Sequence, residues 1–188
     1  NTNINDLWKI YNIRCYYALL ETMFTTGMRI GEALSLKWEN VDLKNKSINI
    51  VSTLTSKNEV GTPKTERSAR VNFLTNDVAK LLVVWQKEQA KFAKDFGIKD
   101  FKKYDFVFAN TRGSSISYRN FLRRCWRPIR DKANLGKITP HSIRHTFVSQ
   151  LINSQVPIKL VAELVGDKVE MIIGTYTHTL PEARKQAI

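Results

Sequence analysis

Acidic residues are scarce in this 188-residue chain: 17 Asp and Glu stand against 30 Lys and Arg, a formal charge of +13. A surplus of that size attracts polyanions, with nucleic acid first among them. Long apolar runs are also missing. A stretch such as Leu81-Leu82-Val83-Val84-Trp85 falls far short of the ~20 residues that cross a bilayer, which sets aside a membrane protein. The opening Asn1-Thr2-Asn3-Ile4-Asn5 has no Met, no basic segment and no apolar stretch. It is therefore not read as a signal peptide, and it looks like a cut within a longer chain. Cysteine is reduced to Cys15 and Cys125, far apart and each among apolar neighbours. That excludes a disulfide scaffold and a CxxC motif, and predicts buried free thiols in a reducing compartment. Repeats and low-complexity tracts are absent, and the 43% apolar and 25% charged residues are an ordinary globular mixture for one domain.

Helical spacing dominates what remains. Leu7, Trp8, Tyr11, Cys15, Leu19 and Met23 recur at helical intervals over residues 7–26, and Gly27 is suited to end that helix. A short helix is expected over 29–36. Residues 47–51 and 69–74 alternate in part with period two around the turn residues Gly61-Thr62-Pro63, which predicts a small antiparallel sheet. Asn76 is expected to cap a helix reaching about residue 96, with Val78, Leu81, Leu82 and Trp85 inward. Over 117–130 the helical wheel sets Phe121, Leu122, Cys125 and Ile129 against the arginines, with Pro128 forced to kink or split the helix. Further helices are expected over 140–153, 157–165 and 168–173, with a tail after Pro181. The fold class is α+β and mostly helical.

Two segments carry candidate chemistry. Residues 112–132 hold Arg112, Arg119, Arg123, Arg124, Arg127, Arg130 and Lys132 against Asp131 alone. Arginine's planar fork matches phosphate better than an ammonium does, so this stripe is expected to follow a phosphate backbone. In Thr139-Pro140-His141-Ser142-Ile143-Arg144-His145, Thr139 is expected as the N-cap and Pro140 as the first helical residue. His141 and Arg144, three apart, then face one way near a positive helix terminus and can form an anion site. His141 and His145 also have i, i+4 spacing. The zinc-protease helix, however, has Glu after its first His where this chain has Ser142. No third ligand among Glu163, Asp167 and His178 falls in a recognisable pattern, so no metal is expected.

Thr26-Gly27-Met28-Arg29-Ile30-Gly31-Glu32-Ala33-Leu34, then Pro63-Lys64-Thr65, then His141-Ser142-Ile143-Arg144-His145, then Val165-Gly166-Asp167 with Gly174-Thr175-Tyr176-Thr177-His178, together resemble the catalytic domain of the tyrosine recombinases, also called phage integrases. The motifs occur in the family's order across nearly all the chain. The resemblance implies that family's catalytic-domain fold over residues 1–188, with a three-stranded antiparallel sheet, and with the amino-terminal core-binding domain absent. It implies site-specific cleavage and rejoining of DNA through a 3′-phosphotyrosyl link, for integration or excision of a phage or mobile element, without cofactor or metal. Arg29 and Arg144 match the phosphate-binding arginines, Lys64 the hairpin lysine that protonates the leaving 5′ oxygen, His141 the first histidine of HxxR, which assists proton movement at the nucleophile or hydrogen-bonds the phosphate, and Tyr176 the nucleophile. Glu32 and His145 are supporting residues.

Asp167 stands where many members of the family have His or Trp. An ionised Asp repels a phosphate oxygen unless it is protonated or paired with Arg. Tyr176 is expected in a polar, mobile segment. The resemblance further implies a homotetramer on DNA, an accessory DNA-bending or excision factor, and a cytoplasmic, nucleoid-associated protein of a bacterium or phage. A type IB topoisomerase and a non-catalytic DNA-binding module are the rival readings.

Overall fold

The computed structural model describes residues 3–55, 58–61 and 69–176. The first helix, α1 (Ile4–Thr26), is capped by the Asn3 side chain and closes at Gly27, whose φ of 63° is a left-handed conformation that a side chain resists. A Cβ there would also collide with the Phe147 ring. Tyr11, Cys15, Leu19 and Met23 are buried as expected, whereas Leu7 and Trp8 are exposed near the helix start. After α2 (Ile30–Leu34) and a 3-10 turn (Trp38–Asn40) come five short strands: β1 (Val41–Asp42), β2 (Ser47–Ile50), β3 (Thr53–Leu54), β4 (Val60–Gly61) and β5 (Arg70–Phe73). The three-stranded antiparallel sheet has the order β1-β2-β5, and β3 with β4 forms a separate ribbon.

In β5 the alternation runs opposite to hydropathy. Val71 and Phe73 face outward, 51% and 69% exposed, while Arg70 and Asn72 pair with the inward-facing Ile50 and Ile48 of β2. The inward side offers polar partners: Asn72 donates to the Thr26 carbonyl at 2.7 Å, and Arg70 meets the Glu32 carboxylate.

Helix α3 (Asn76–Asp95) begins one residue after its actual cap, Thr75, whose hydroxyl accepts from the Val78 amide. Val78, Leu82 and Trp85 are buried against α1, with Leu81 half-buried. The Trp85 indole donates to the Val107 carbonyl at 2.7 Å, so this large ring enters the core with its polar atom satisfied. Each such side chain contributes about 1.5–3 kcal/mol by leaving water. Helix α4 (Asp100–Tyr104) leads into the extended, buried segment Phe106 to Ala109.

The basic stretch is split into three pieces, as Pro128 leads one to expect. It runs as α5 (Tyr118–Phe121), a π-helical turn (Leu122–Trp126) and α6 (Arg127–Lys132), with the Arg127 amide reaching back to the Leu122 carbonyl. One extra residue in the turn accommodates Pro128, which has no N–H for the helical bond. It also rotates the downstream helix by about one residue, roughly 100°, so Phe121 and Cys125 are buried but Ile129 is 44% exposed rather than inward. Both thiols are buried and free; burial pushes Cys125 up to about 12 and Cys15 higher still.

Three helices follow, α7 (His141–Asn153), α8 (Ile158–Val165) and α9 (Val169–Tyr176). Thr139 is not the cap of α7. Pro140 occupies that position, and the Thr139 amide instead donates to the Ser142 hydroxyl at 3.2 Å. The main core holds α1, α3 and Ile143 of α7, whereas Val148 and Ile152 of α7 join α8 and α9 in a second cluster that includes Ile172 and Tyr176. Helix α7 thus spans both clusters. Among the described residues no helix is long and apolar enough to cross a membrane.

Candidate functional site

Arg29 is the N-cap of α2, and the Glu32 side chain turns back to it: Oε2 accepts from the Arg29 amide at 2.9 Å and Oε1 from its Nη1 at 3.0 Å. Glu32 is only 3% exposed, so it is not a solvent-facing residue. Its remaining capacity is taken by Arg70 of β5, whose Nη2 and Nη1 approach Oε2 and Oε1 at 2.9 and 3.2 Å. The Arg70 Nε donates to the Leu164 carbonyl at 2.8 Å, in the last turn of α8. Burial pushes the Glu32 carboxyl up, but the bonds and charge of Arg70, followed by those of Arg29, outweigh it and hold the group below its ordinary value.

Arg144, buried on α7, makes the second half of the anion-binding geometry. Its Nη1 donates at 3.0 Å to the carbonyl of Gly27, the residue whose left-handed turn ends α1. Its Nη2 donates at 2.6 Å to Asp167 Oδ2, and Oδ1 of the same carboxylate accepts from Arg29 Nη2. Asp167 is delivered by Gly166, which closes α8 with a φ of 65°. Asp167 is therefore the Arg-paired carboxylate that the residue type alone left open. Three guanidiniums, of Arg29, Arg70 and Arg144, face two carboxylates. The pocket retains net positive charge, and its Arg29–Asp167 edge is the side open to solvent.

The imidazoles and the phenol lie beside this network. The Tyr176 hydroxyl is 2.6 Å from His145 Nδ1, and the His141 ring meets the His145 ring edge-on with centroids 4.6 Å apart. Tyr176 is not in an exposed polar setting: it is the last described residue of α9 and 6% exposed, one turn beyond the buried Ile172 on the same face. Burial pushes its phenol up; Arg144 pulls it down and Asp167 adds to the rise. Burial lowers His141, as do the nearby His145, Arg144 and Arg29, against Asp167.

The structure thus brings together Arg29, Glu32, His141, Arg144, His145, Asp167 and Tyr176 from four separate parts of the chain. Lys64, His178 and the tail after Pro181 lie outside the described residues. Arg112, in the turn before α5, and Arg119, Arg123, Arg124 and Arg127 are exposed on their own surface, while Arg130 pairs with its neighbour Asp131 at 2.7 Å. None of these six bonds to the pocket residues among the described contacts. Arg70 is a pocket residue that no sequence motif marks. Its signal is a guanidinium at an inward strand position, which requires a buried acid. Among the described residues no group of three or more His, Cys, Asp or Glu is placed to hold a metal ion.

Residues 2–183 match the phage integrase family, and the chain belongs to it. The tyrosine recombinase XerC-like protein of Caldanaerobacter subterraneus subsp. tengcongensis is 29% identical to it, over 91% of this chain and 47% of that protein. The integrase of Staphylococcus phage L54a is 27% identical, over 93% of this chain and 51% of its own length. Among solved structures, the Tn1549 transposon integrase in complex with transposon right end DNA superposes with a TM-score of 0.72 at 22% identity, over 92% of this chain and 58% of that one. The fold is that of the tyrosine recombinase catalytic domain. The chain spans about half the length of the two sequence relatives.

Proposed function

We propose that this chain is the catalytic part of a site-specific DNA recombinase that integrates or excises a mobile element. The observation that carries the reading is the meeting of two ion-paired arginines, two imidazoles and one phenol in a single pocket. In that role Arg29 and Arg144 donate to the non-bridging oxygens of a DNA phosphodiester, as they now donate to the Asp167 carboxylate, and stabilise the charge that grows there in the transition state. Tyr176 attacks phosphorus to give a 3′-phosphotyrosyl link. Lys64 protonates the departing 5′ oxygen, and His141 donates to the phosphate at the solvent-facing side. Because the covalent link conserves the phosphodiester energy, neither nucleotide nor metal takes part.

Double-stranded DNA as partner is supported by the charge of +13 and by the DNA in the Tn1549 integrase complex. Exchange between two duplexes uses four strands, hence four protomers, with an accessory bending or excision factor setting direction. The setting is the cytoplasm and nucleoid of a bacterium, for a protein encoded by the bacterium or by its phage.

The test is covalent trapping on a nicked suicide substrate. The parent chain is expected to give an adduct that survives denaturation, and Tyr176→Phe none, with unchanged DNA binding. An adduct formed by Tyr176→Phe, or none formed by the parent on any recombination-site DNA that it binds, overturns the reading and leaves a DNA-binding module.

A further inference from the structure

We propose that His145, the residue after the second pocket arginine, is the proton acceptor for the nucleophile. This rests on the recombinase reading and assigns a step within it. The Tyr176 hydroxyl is 2.6 Å from His145 Nδ1, within the reach a general base needs. The neutral imidazole protonated on Nε2 presents its Nδ1 lone pair to that hydroxyl. The two oxygens of Asp167 each accept from a guanidinium, and of the two imidazoles it is His145 whose nitrogen meets the hydroxyl, with the His141 ring packed against the His145 ring. Burial disfavours a bare phenolate at Tyr176, so the proton must leave as the nucleophile attacks.

The step balances. The Tyr176 Oη forms a bond to phosphorus, and its proton passes to Nδ1, leaving an imidazolium. The P–O5′ bond breaks with its electron pair on the 5′ oxygen, which takes a proton from the Lys64 ammonium. In rejoining, an incoming 5′ hydroxyl displaces Tyr176, whose oxygen recovers the proton from His145 while the Lys64 amine accepts the hydroxyl proton. The imidazolium forms beside Arg144, and Asp167 and the negative phosphorane offset its charge.

Single-turnover cleavage of the suicide substrate by the full chain tests this. His145→Asn keeps an acceptor oxygen near the Nδ1 position but cannot hold the proton. It is expected to lower the cleavage rate by ~10²–10⁴-fold, the range of general-base catalysis, with DNA affinity unchanged. Fluorinated tyrosine at position 176, being more acidic, is expected to recover much of that loss in His145→Asn and to change the parent little. A parental rate in His145→Asn, or an equal effect of fluorination in both backgrounds, overturns the proposal. If the Asn variant does not fold, His145→Ala with added imidazole decides: recovered cleavage supports the assignment, and none with intact DNA binding refutes it. The parent's own adduct, absent in Tyr176→Phe, is scored first, so failure of the recombinase reading is distinct from failure of this step.

Discussion

The molecule holds arginine in two contrasting settings. Arg29, Arg70 and Arg144 are fixed by two carboxylates and by backbone carbonyls at two helix ends. Arg119, Arg123, Arg124 and Arg127 lie exposed along α5, the π turn and the start of α6, and make no salt bridge to a described residue. The charge is the same in both, but the freedom is not. A fixed guanidinium has already lost its rotamer entropy during folding, so it meets a phosphate without further ordering. An exposed one must be ordered on contact, and it acts mainly through long-range attraction. Geometry belongs to the first set and encounter to the second.

The largest expected effect breaks the fixed set at its centre. Glu32→Ala removes the buried carboxylate that Arg70 and Arg29 share, and breaking a buried ion pair costs about 3–5 kcal/mol. Urea unfolding should show that loss. A change under about 1 kcal/mol, the scale of an exposed pair, would place Glu32 with the surface charges. Acid titration sharpens the point. The Glu32 carboxyl is held below its ordinary value by Arg70 and Arg29 against the opposing effect of burial. Its contribution is therefore complete above the unfolded carboxyl's pKa and is lost as pH falls through the lower folded value. The parent should lose stability over that interval, and Glu32→Ala should lack that component.

A smaller effect is expected at the carboxylate that joins Arg29 and Arg144. Asp167 offsets their mutual repulsion, yet it occupies the donors that a phosphate would use. Asp167→His removes a negative charge from the pocket and supplies a donor, so cleavage should be unchanged or rise by up to about tenfold, equivalent to ~1.4 kcal/mol at the barrier. Single-turnover rates with saturating DNA measure this. A collapse of the rate would mean that the carboxylate is needed to hold Arg29 and Arg144 in register.

Which features the sequence disclosed depends on the same division. The left-handed stop at Gly27, the short helix behind Arg29, and the i, i+3 relation of His141 to Arg144 are local and repeat known spacings, so they are legible. Glu32 is legible as a neighbour of Arg29, but its burial depends on Arg70, 38 residues away in a strand whose inward face is polar. Hydropathy alternation assigns that strand the opposite face, because Val71 and Phe73 are the apolar residues. The π turn that absorbs Pro128 is equally hidden, since a helical wheel assumes a constant phase. Tyr176 sits among polar neighbours in sequence. Its burial comes from α9 closing on α7 and α8, a tertiary contact that no local pattern records.

The smallest effects should come from the exposed set, where they separate charge from structure. Arg123→Gln and Arg127→Gln remove no buried contact, so each should shift stability by less than about 0.5 kcal/mol. If these side chains neutralise phosphates on duplex DNA, each substitution should lower the slope of log K against log salt by about 0.9. Arg130 provides the internal contrast: with its guanidinium already paired to Asp131, Arg130→Gln should change the slope less than either. Equal slopes in the parent and in Arg123→Gln and Arg127→Gln would mean that this arginine surface faces away from the duplex, leaving the ion-paired pocket to bind phosphate without a basic track leading to it.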